Sequence, residues 1–243
     1  MELFLKWRES MKNYRNLLFD LDDTLLDFGA AEKHALPKLF ETLGVELTDE
    51  VRTKYKEINL RLWQELEEGV ITREQLMAGR FAITLKHFGI EVDGKAVDAR
   101  YRSFLAESKV FVEGAFDIIQ QLSKDYNLYI VSNGISETQH TRLHHTGLYP
   151  YFKGIFVSED TGYQKPMKPF FDYVFERIAN FDVKETIIIG DSLSADIVGG
   201  AGAGIDTCWL NPSKKQNTTT TQPTYEIQKL VQLKAILGMK VCD

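Results

Sequence analysis

Cysteine is nearly absent from this sequence, which contains only Cys208 and Cys242 among its 243 residues. Two widely spaced thiols cannot build the disulfide framework of a small secreted protein or the four-ligand set of a structural zinc site. We expect Cys208, which lies in an apolar run, to be a core residue, and Cys242 to lie at a mobile terminus. Because unpaired thiols suit a reducing compartment, we expect a cytoplasmic protein.

Long apolar runs are also lacking. No stretch approaches the ~18 residues that a membrane-spanning helix needs, so we expect no membrane partner. Residues 1–12 include Glu2 and Glu9 and have no sustained apolar segment, which is unlike a signal peptide. Because Met11 lies just before the first predicted strand, we expect translation to begin there or residues 1–10 to form a loose arm.

The sequence also lacks an excess of positive charge. Lysine and arginine number 29 against 35 aspartates and glutamates, for a net charge of −6. A nucleic acid polymer is therefore disfavoured as a partner, because its recognition needs clustered lysine and arginine. A small phosphorylated metabolite needs only a local positive site and stays compatible with this charge. Hydrophobic residues at 44% and charged residues at 26% are ordinary for a globular protein.

A cluster of carboxylates is the most informative feature that is present. Residues 16–19 form a short apolar run typical of a buried strand, and Asp20, Asp22 and Asp23 follow directly. Two unit charges ~4 Å apart repel by about 4 kcal/mol at an effective dielectric constant of ~20. A bound cation is the simplest compensation. This stretch alone leaves an ordinary acidic turn open as the alternative.

The periodicity of apolar residues changes twice along the chain. Residues 30–108 have helical spacing, which predicts four helices, and from Glu113 onward helices alternate with strands. After the first strand, we predict strands at residues 128–131, 155–157, 186–189 and 205–210, and a closing helix at residues 225–237. This alternation predicts an α/β fold with a doubly wound parallel sheet. We predict a core domain of residues 1–27 plus 112–243 and an inserted α-helical domain of residues 28–111.

Polar residues follow the predicted strands at the edge where α/β proteins bind ligands. Four strand ends read Asp20-Leu21-Asp22, Ser132-Asn133-Gly134, Ser158-Glu159-Asp160 and Gly190-Asp191-Ser192. Because these groups are far apart in sequence but converge at one edge of the sheet, a functional site is favoured over an acidic turn.

Four segments resemble, in order and placement, the motifs of the haloacid dehalogenase-like (HAD) hydrolases. They are Asp20-Leu21-Asp22-Asp23-Thr24-Leu25, Ser132-Asn133-Gly134, Lys165-Pro166 and Gly190-Asp191-Ser192-Leu193-Ser194-Ala195-Asp196. The resemblance covers nearly the whole chain, because the helical block lies where that family's cap is inserted. It implies a Rossmann-like core with a helical cap that closes over the site, Asp20 as nucleophile and Asp22 as general acid and base.

The resemblance also implies how the phosphoryl group is bound. Ser132, Asn133 and Lys165 would contact it, and Asp196 would lie behind them and hold Lys165. Lys165 is preferred over Lys168 because it directly precedes the proline of the motif, and we expect Lys168 to be solvated.

A metal ion is implied at the same place, with Asp20, Asp22 and Asp191 as its ligands. Four motif carboxylates and one lysine ammonium sum to −3 if all are ionised, so a dianionic substrate needs a compensating cation. The ligands are all oxygen atoms, which favours Mg²⁺ over Zn²⁺.

The expected activity follows from Asp22. Dehalogenases that resemble this family lack an acid at this position because a halide leaves without a proton, so Asp22 indicates phosphoryl transfer. We expect an Mg²⁺-dependent phosphatase that hydrolyses a small phosphomonoester through an aspartyl-phosphate. The resemblance is greatest to the branch that contains pyrimidine 5′-nucleotidases, which implies a nucleoside 5′-monophosphate as substrate. Alternatives are a sugar-phosphate phosphatase, a phosphomutase of the same fold, and a non-catalytic phosphate-sensing or interaction protein.

Overall fold

The computed structural model describes residues 12–239, so the expectations for residues 1–10, Met11 and Cys242 lie outside the described residues. The chain divides into two compact units. One comprises the residues up to 27 together with those from 111 onward, and the other comprises residues 28–110. The predicted boundary included residue 111 in the helical domain, whereas Phe111 belongs to the first unit.

A six-stranded parallel sheet forms the framework of the first unit. Its strands are β1 (Asn16–Phe19), β2 (Asn127–Ser132), β3 (Gly154–Val157), β4 (Thr186–Gly190), β5 (Asp206–Leu210) and β6 (Tyr225–Ile227). The spatial order is β3-β2-β1-β4-β5-β6, which places β1 between β2 and β4. The predicted fold class, a doubly wound α/β protein, is confirmed.

Ten α-helices accompany the sheet in the described residues. The second unit contains α1 (Phe28–Leu43), α2 (Asp49–Glu67), α3 (Arg73–His87) and α4 (Gly94–Leu105). The first unit contains α5 (Ala115–Leu122), α6 (Ser136–His145), α7 (Ser158–Thr161), α8 (Lys168–Phe175), α9 (Val198–Gly202) and α10 (Leu233–Ile236). A π-helical turn, Leu193–Ile197, precedes α9. Within residues 12–239, no helix has both the length and the apolar character needed to span a membrane.

Apolar side chains pack on both faces of the sheet. Leu17 of β1 and Ile187 of β4 are partners in the strand register and lie in one buried cluster. The next residues, Leu18 and Ile188, lie in a second cluster on the other side, because successive strand residues point to opposite faces. Burial on both faces explains why these strands are continuous apolar runs without alternating polar residues.

The closing helix predicted for residues 225–237 is wrong in its first part. Tyr225–Ile227 form β6, which pairs with β5, and the α-helix comprises only Leu233–Ile236. Ile227 is buried whereas Glu226 is exposed, the alternation of a strand. The edge of β5 supplies main-chain hydrogen-bond partners that local sequence does not reveal, so tertiary pairing outweighs local preference here.

The helices of the second unit begin where side chains cap them. Thr48 accepts a hydrogen bond from the main-chain N–H of Val51 at the start of α2. Thr72 and Gln75 form a capping box at the start of α3, which satisfies main-chain donors that a helix start leaves unpaired. The four helices enclose an aromatic core in which the ring centroids of Phe81 and Tyr101 are 5.0 Å apart.

A buried ion pair lies beside this aromatic core. Arg80 donates from Nε to Oδ1 of Asp98 over 2.7 Å, and its guanidinium lies 4.9 Å from the ring centroid of Tyr101. Arg102 donates to the other carboxylate oxygen of Asp98 over 2.8 Å. Only 3% of Arg80 and 1% of Asp98 are exposed, so neither charge can be compensated by water if its partner is removed.

Replacing Asp98→Ala should therefore destabilise the helical unit strongly. Removing one partner of a buried pair leaves the other charge uncompensated, at a cost of about 3–5 kcal/mol. Urea denaturation followed by far-ultraviolet circular dichroism measures this cost. Glu57→Ala is the control, because Glu57 pairs with Lys54 at the surface of the same unit and exposed pairs contribute about 0–1 kcal/mol. Equal costs for the two variants would contradict the assignment of a buried pair.

Candidate active site

The central strands bring the first and fourth motifs together. Asp20 continues β1, because its main-chain N–H donates to the carbonyl oxygen of Ile189 in β4 over 2.9 Å. Asp191 directly follows the end of β4. Asp23 has a φ of 55°, and its N–H donates to the carbonyl oxygen of Leu26. It therefore occupies a tight turn, for which aspartate is suited.

Three carboxylates meet at this edge of the sheet. Oxygen atoms of Asp20, Asp191 and Asp196 all lie within 4.8 Å of one another. Burial raises the pKa of Asp20 to about 7 against the opposing ammonium of Lys165, and the charges of Asp196 and Asp22 make smaller raising contributions. Burial, followed by the charges of Asp20 and Asp196, raises the pKa of Asp191 to about 8. The crowded carboxylates thus favour a compensating cation, and an all-oxygen donor set fits Mg²⁺.

Lys165 is the ammonium group placed among these carboxylates. Its Nζ donates to Asp20 Oδ1 over 2.8 Å, to Asp196 Oδ1 over 2.7 Å and to the carbonyl oxygen of Val131 over 2.7 Å. Burial alone would lower the pKa of Lys165, but Asp196 and Asp20 outweigh it and raise that pKa above its usual range. Lys168, by contrast, forms an exposed pair with Asp172. The structure thus places Lys165, and not Lys168, beside Asp20 and Asp196.

Asp196 is held by the turn that follows β4. Its Oδ2 accepts from the main-chain N–H of Ser192 over 3.0 Å, while Oδ1 accepts from Lys165. A Cβ atom on Gly190 would lie 2.1 Å from Asp196 Oδ2. Glycine at the end of β4 therefore makes room for the carboxylate that fixes Lys165.

Trp209 supports the same turn, and the sequence reasoning did not identify it. Its indole Nε1 donates to the carbonyl oxygen of Asp191 over 2.9 Å. Trp209 lies on β5 opposite Gly190 in the strand register. The available signal was a tryptophan near the end of a neighbouring strand, because a buried indole N–H needs a hydrogen-bond partner.

In the second motif, the hydroxyl group of Ser132 can still donate its proton in a hydrogen bond. Ser132 Oγ accepts from the main-chain N–H of Gly134 over 3.1 Å and from Gln139 Nε2 over 2.8 Å. In both bonds the hydroxyl acts as acceptor, so its own proton can be donated to an anion. This arrangement suits a phosphoryl oxygen as the acceptor.

Asn133 makes contacts that differ from the predicted ones. Its side-chain Nδ2 donates to the carbonyl oxygen of Lys165, and its Oδ1 accepts from the N–H of Lys165, both over 2.8 Å. The amide therefore holds the main chain that carries Lys165. Its predicted contact with the phosphoryl group stays a prediction, and the observed pairing indicates a supporting position.

The carboxylate of Asp22 contacts side chains of α6 rather than Lys165. Its Oδ2 accepts from Gln139 Nε2 over 2.7 Å, and its Oδ1 accepts from Nη1 of Arg142. Among the described residues, the cluster of three carboxylates comprises Asp20, Asp191 and Asp196 without Asp22, and the predicted role of Asp22 as a metal ligand stays a prediction. Gln139 and Arg142 were missed by sequence reasoning, although their spacing of three puts them on one face of α6.

Comparison with known proteins places this geometry in a family. Residues 17–210 match the haloacid dehalogenase-like hydrolases. The chain is 54% identical to the HAD-hydrolase YfnB of Bacillus subtilis, over 95% of this chain and 98% of YfnB. It is 42% identical to the pyrimidine 5′-nucleotidase PynA of Streptococcus pneumoniae, over 95% and 98% of the two chains. It is 33% identical to the pyrimidine 5′-nucleotidase YjjG of Escherichia coli, over 91% and 96%.

The fold is similar to that of a solved relative. A crystal structure of YfnB bound to magnesium, which reveals interdomain movement, matches with a TM-score of 0.90 over 94% of this chain and 100% of that one. Both the match over residues 17–210 and the identity to YfnB extend across the motifs described above. The chain therefore belongs to the haloacid dehalogenase-like hydrolase family.

Proposed function

We propose that this protein is an Mg²⁺-dependent phosphatase of small phosphomonoesters, with a nucleoside 5′-monophosphate as its substrate. The observation that carries the proposal is the separation of two neighbouring acids. Asp20 lies among carboxylates and contacts Lys165, whereas Asp22 contacts Gln139 and Arg142. Two carboxylates in different environments suit two different roles in one reaction.

The cation would be held by Asp20 and Asp191, with Asp196 beside them. When bound, Mg²⁺ supplies positive charge that lets a phosphate dianion approach the carboxylates and stabilises charge on the transferring phosphoryl group. Lys165 adds a fixed positive charge, and Ser132 directs its hydroxyl proton to a phosphoryl oxygen.

Asp20 forms the bond to phosphorus, and Asp22 transfers the proton. A carboxylate oxygen of Asp20 attacks phosphorus and forms an aspartyl-phosphate, while the bond between phosphorus and the ester oxygen breaks. Asp22 donates its proton to that departing oxygen, which leaves as an alcohol. Asp22 then takes a proton from the water molecule that attacks phosphorus, which frees Asp20 and releases inorganic phosphate. Asp22 therefore ends the cycle protonated, as it began.

The substrate class rests on the relatives. Two relatives at 42% and 33% identity are named pyrimidine 5′-nucleotidases, and each aligns over more than nine-tenths of this chain. A phosphomutase or a sugar-phosphate phosphatase would use the same four motifs. A purely phosphate-sensing protein would not need both Asp20 and Asp22, which supports catalysis.

Release of inorganic phosphate from a panel of phosphorylated metabolites with Mg²⁺ tests the substrate. Pyrimidine nucleoside monophosphates should give the highest kcat/KM, followed by purine monophosphates. A preference for sugar phosphates would replace the nucleotide assignment. Conversion of a monoester into its isomer without phosphate release would identify a phosphomutase, and binding without turnover of any ester would contradict catalysis.

Asp20→Asn should lower phosphatase kcat by at least ~10³-fold, because an amide is a poor nucleophile and loss of a nucleophile removes most of the rate acceleration. Phosphate release measures the loss, and circular dichroism checks that the fold is intact. Asp23→Asn is the control: the neighbouring acid lies in a turn with φ of 55°, a conformation that asparagine tolerates. If the Asp20 variant kept wild-type turnover, the proposed nucleophile would be wrong.

Mg²⁺ should stabilise the folded protein, because it compensates the repulsion among Asp20, Asp191 and Asp196. At a concentration of ~100 Kd the gain is about 2.7 kcal/mol, seen as a higher Tm in thermal denaturation. Asp191→Asn removes one charge, so it should raise the Tm without Mg²⁺ and lose the gain with Mg²⁺.

Two controls accompany the thermal experiment. NaCl at matched ionic strength separates site binding from general screening. Asp172→Asn changes an exposed carboxylate paired with Lys168 and should keep the full response to Mg²⁺. An equal response in the Asp191 variant would exclude Asp191 as a metal ligand.

A further inference from the structure

Two side chains of α6 enclose the carboxylate of Asp22. Arg142 donates from Nη1 to Oδ1, and Gln139 donates from Nε2 to Oδ2 over 2.7 Å. Arg142 also donates to Gln139 Oε1 over 3.1 Å. The three side chains form one connected network in which each carboxylate oxygen has its own donor.

The network is buried on the α6 side. Only 2% of Arg142 and 2% of Gln139 are exposed. An isolated guanidinium is costly to bury, so a buried arginine needs an anionic partner. The carboxylate of Asp22 supplies that partner. The buried charge of Arg142 therefore favours keeping Asp22 in this orientation.

Gln139 is fixed as tightly as Arg142. Its amide nitrogen donates to both Asp22 Oδ2 and Ser132 Oγ, and its oxygen accepts from Arg142. A Cβ atom on Gly134 would lie 2.4 Å from Gln139 Nε2. The glycine of the Ser132-Asn133-Gly134 segment therefore provides the space in which this amide lies.

We propose that Gln139 and Arg142 are positioning residues, which hold the carboxylate of Asp22 in the orientation from which it transfers a proton to the departing oxygen. The inference rests on the proposed function of Asp22 as general acid. Two donors on separate oxygens restrict rotation of the carboxylate about its Cβ–Cγ bond. Asp22 pairs with Arg142 as a carboxylate, and each of its oxygens keeps a second lone pair that can take up the proton which Asp22 later donates. Neither residue needs to touch the substrate.

A comparison of leaving groups separates this role from a general structural one. A nucleoside 5′-monophosphate releases an alkoxide, which needs a proton, whereas p-nitrophenyl phosphate releases a stable phenolate, which needs it far less. Single-turnover release of nucleoside or p-nitrophenol, with enzyme in excess, reports the first chemical step alone. The ratio of the two rate constants within one variant does not depend on the fraction of protein that is folded.

Arg142→Gln and Gln139→Met should each slow nucleoside release by ~10–100-fold, which is a part of the ~10²–10⁴-fold that general acid catalysis contributes. Both should slow p-nitrophenol release by less than about threefold and leave KM for the nucleotide nearly unchanged. Arg177→Gln is the matched control: Arg177 is 44% exposed, and this variant should keep the wild-type ratio.

Asp22→Asn provides the reference, and it should show a larger change in the ratio than either positioning variant. If the Asp22 variant shows this change and the Arg142 and Gln139 variants slow both substrates equally, the positioning role is overturned and the proposed function stands. If the Asp22 variant itself shows no dependence on the leaving group, its role as general acid is wrong and the inference falls with it.

Discussion

Repulsion between carboxylates at the ends of β1 and β4 is the constraint on which the rest of the site depends. Asp20, Asp191 and Asp196 lie within 4.8 Å of one another in a largely buried setting, where like charges are costly. Lys165 offsets part of that charge from within the group. Its position is in turn secured by the carbonyl of Val131 and by the side chain of Asn133 on its main chain. The charge that remains makes a divalent cation the natural complement.

The surroundings differ between two acids that are only two positions apart. The main chain of Asp20 still hydrogen-bonds to β4, so its side chain lies in the cluster with Asp191 and Asp196. Asp22 comes after the end of the strand and contacts α6 instead. In the proposed mechanism, Asp20 forms the bond to phosphorus, and Asp22, which is held by neutral and cationic donors, transfers the proton. Sequence spacing alone does not distinguish these environments.

The sequence predicted what depends on local periodicity and composition. Continuous apolar runs identified β1 and β4, and helical spacing over residues 30–108 identified the four helices of the second unit. Family resemblance supplied the carboxylates and Lys165. What the sequence did not predict depends on tertiary contacts. Strand β6 forms because it pairs with the edge of β5, and Gln139 and Arg142 contact Asp22 because α6 lies beside it. The side chain of Asn133 likewise takes its partner from a segment distant in sequence.

Gly190 and Gly134, the glycines of two motifs, have the same structural role. At the end of β4, Gly190 leaves space for Asp196, which the following helical turn brings back to Lys165. After β2, Gly134 leaves space for Gln139, which α6 brings back to Asp22 and Ser132. In each case a strand ends, the chain turns through a residue without a side chain, and the helix returns a polar group to the strand end. A glycine in such a motif therefore indicates a later side chain that occupies its space, and the residue to search for lies in the helix that follows.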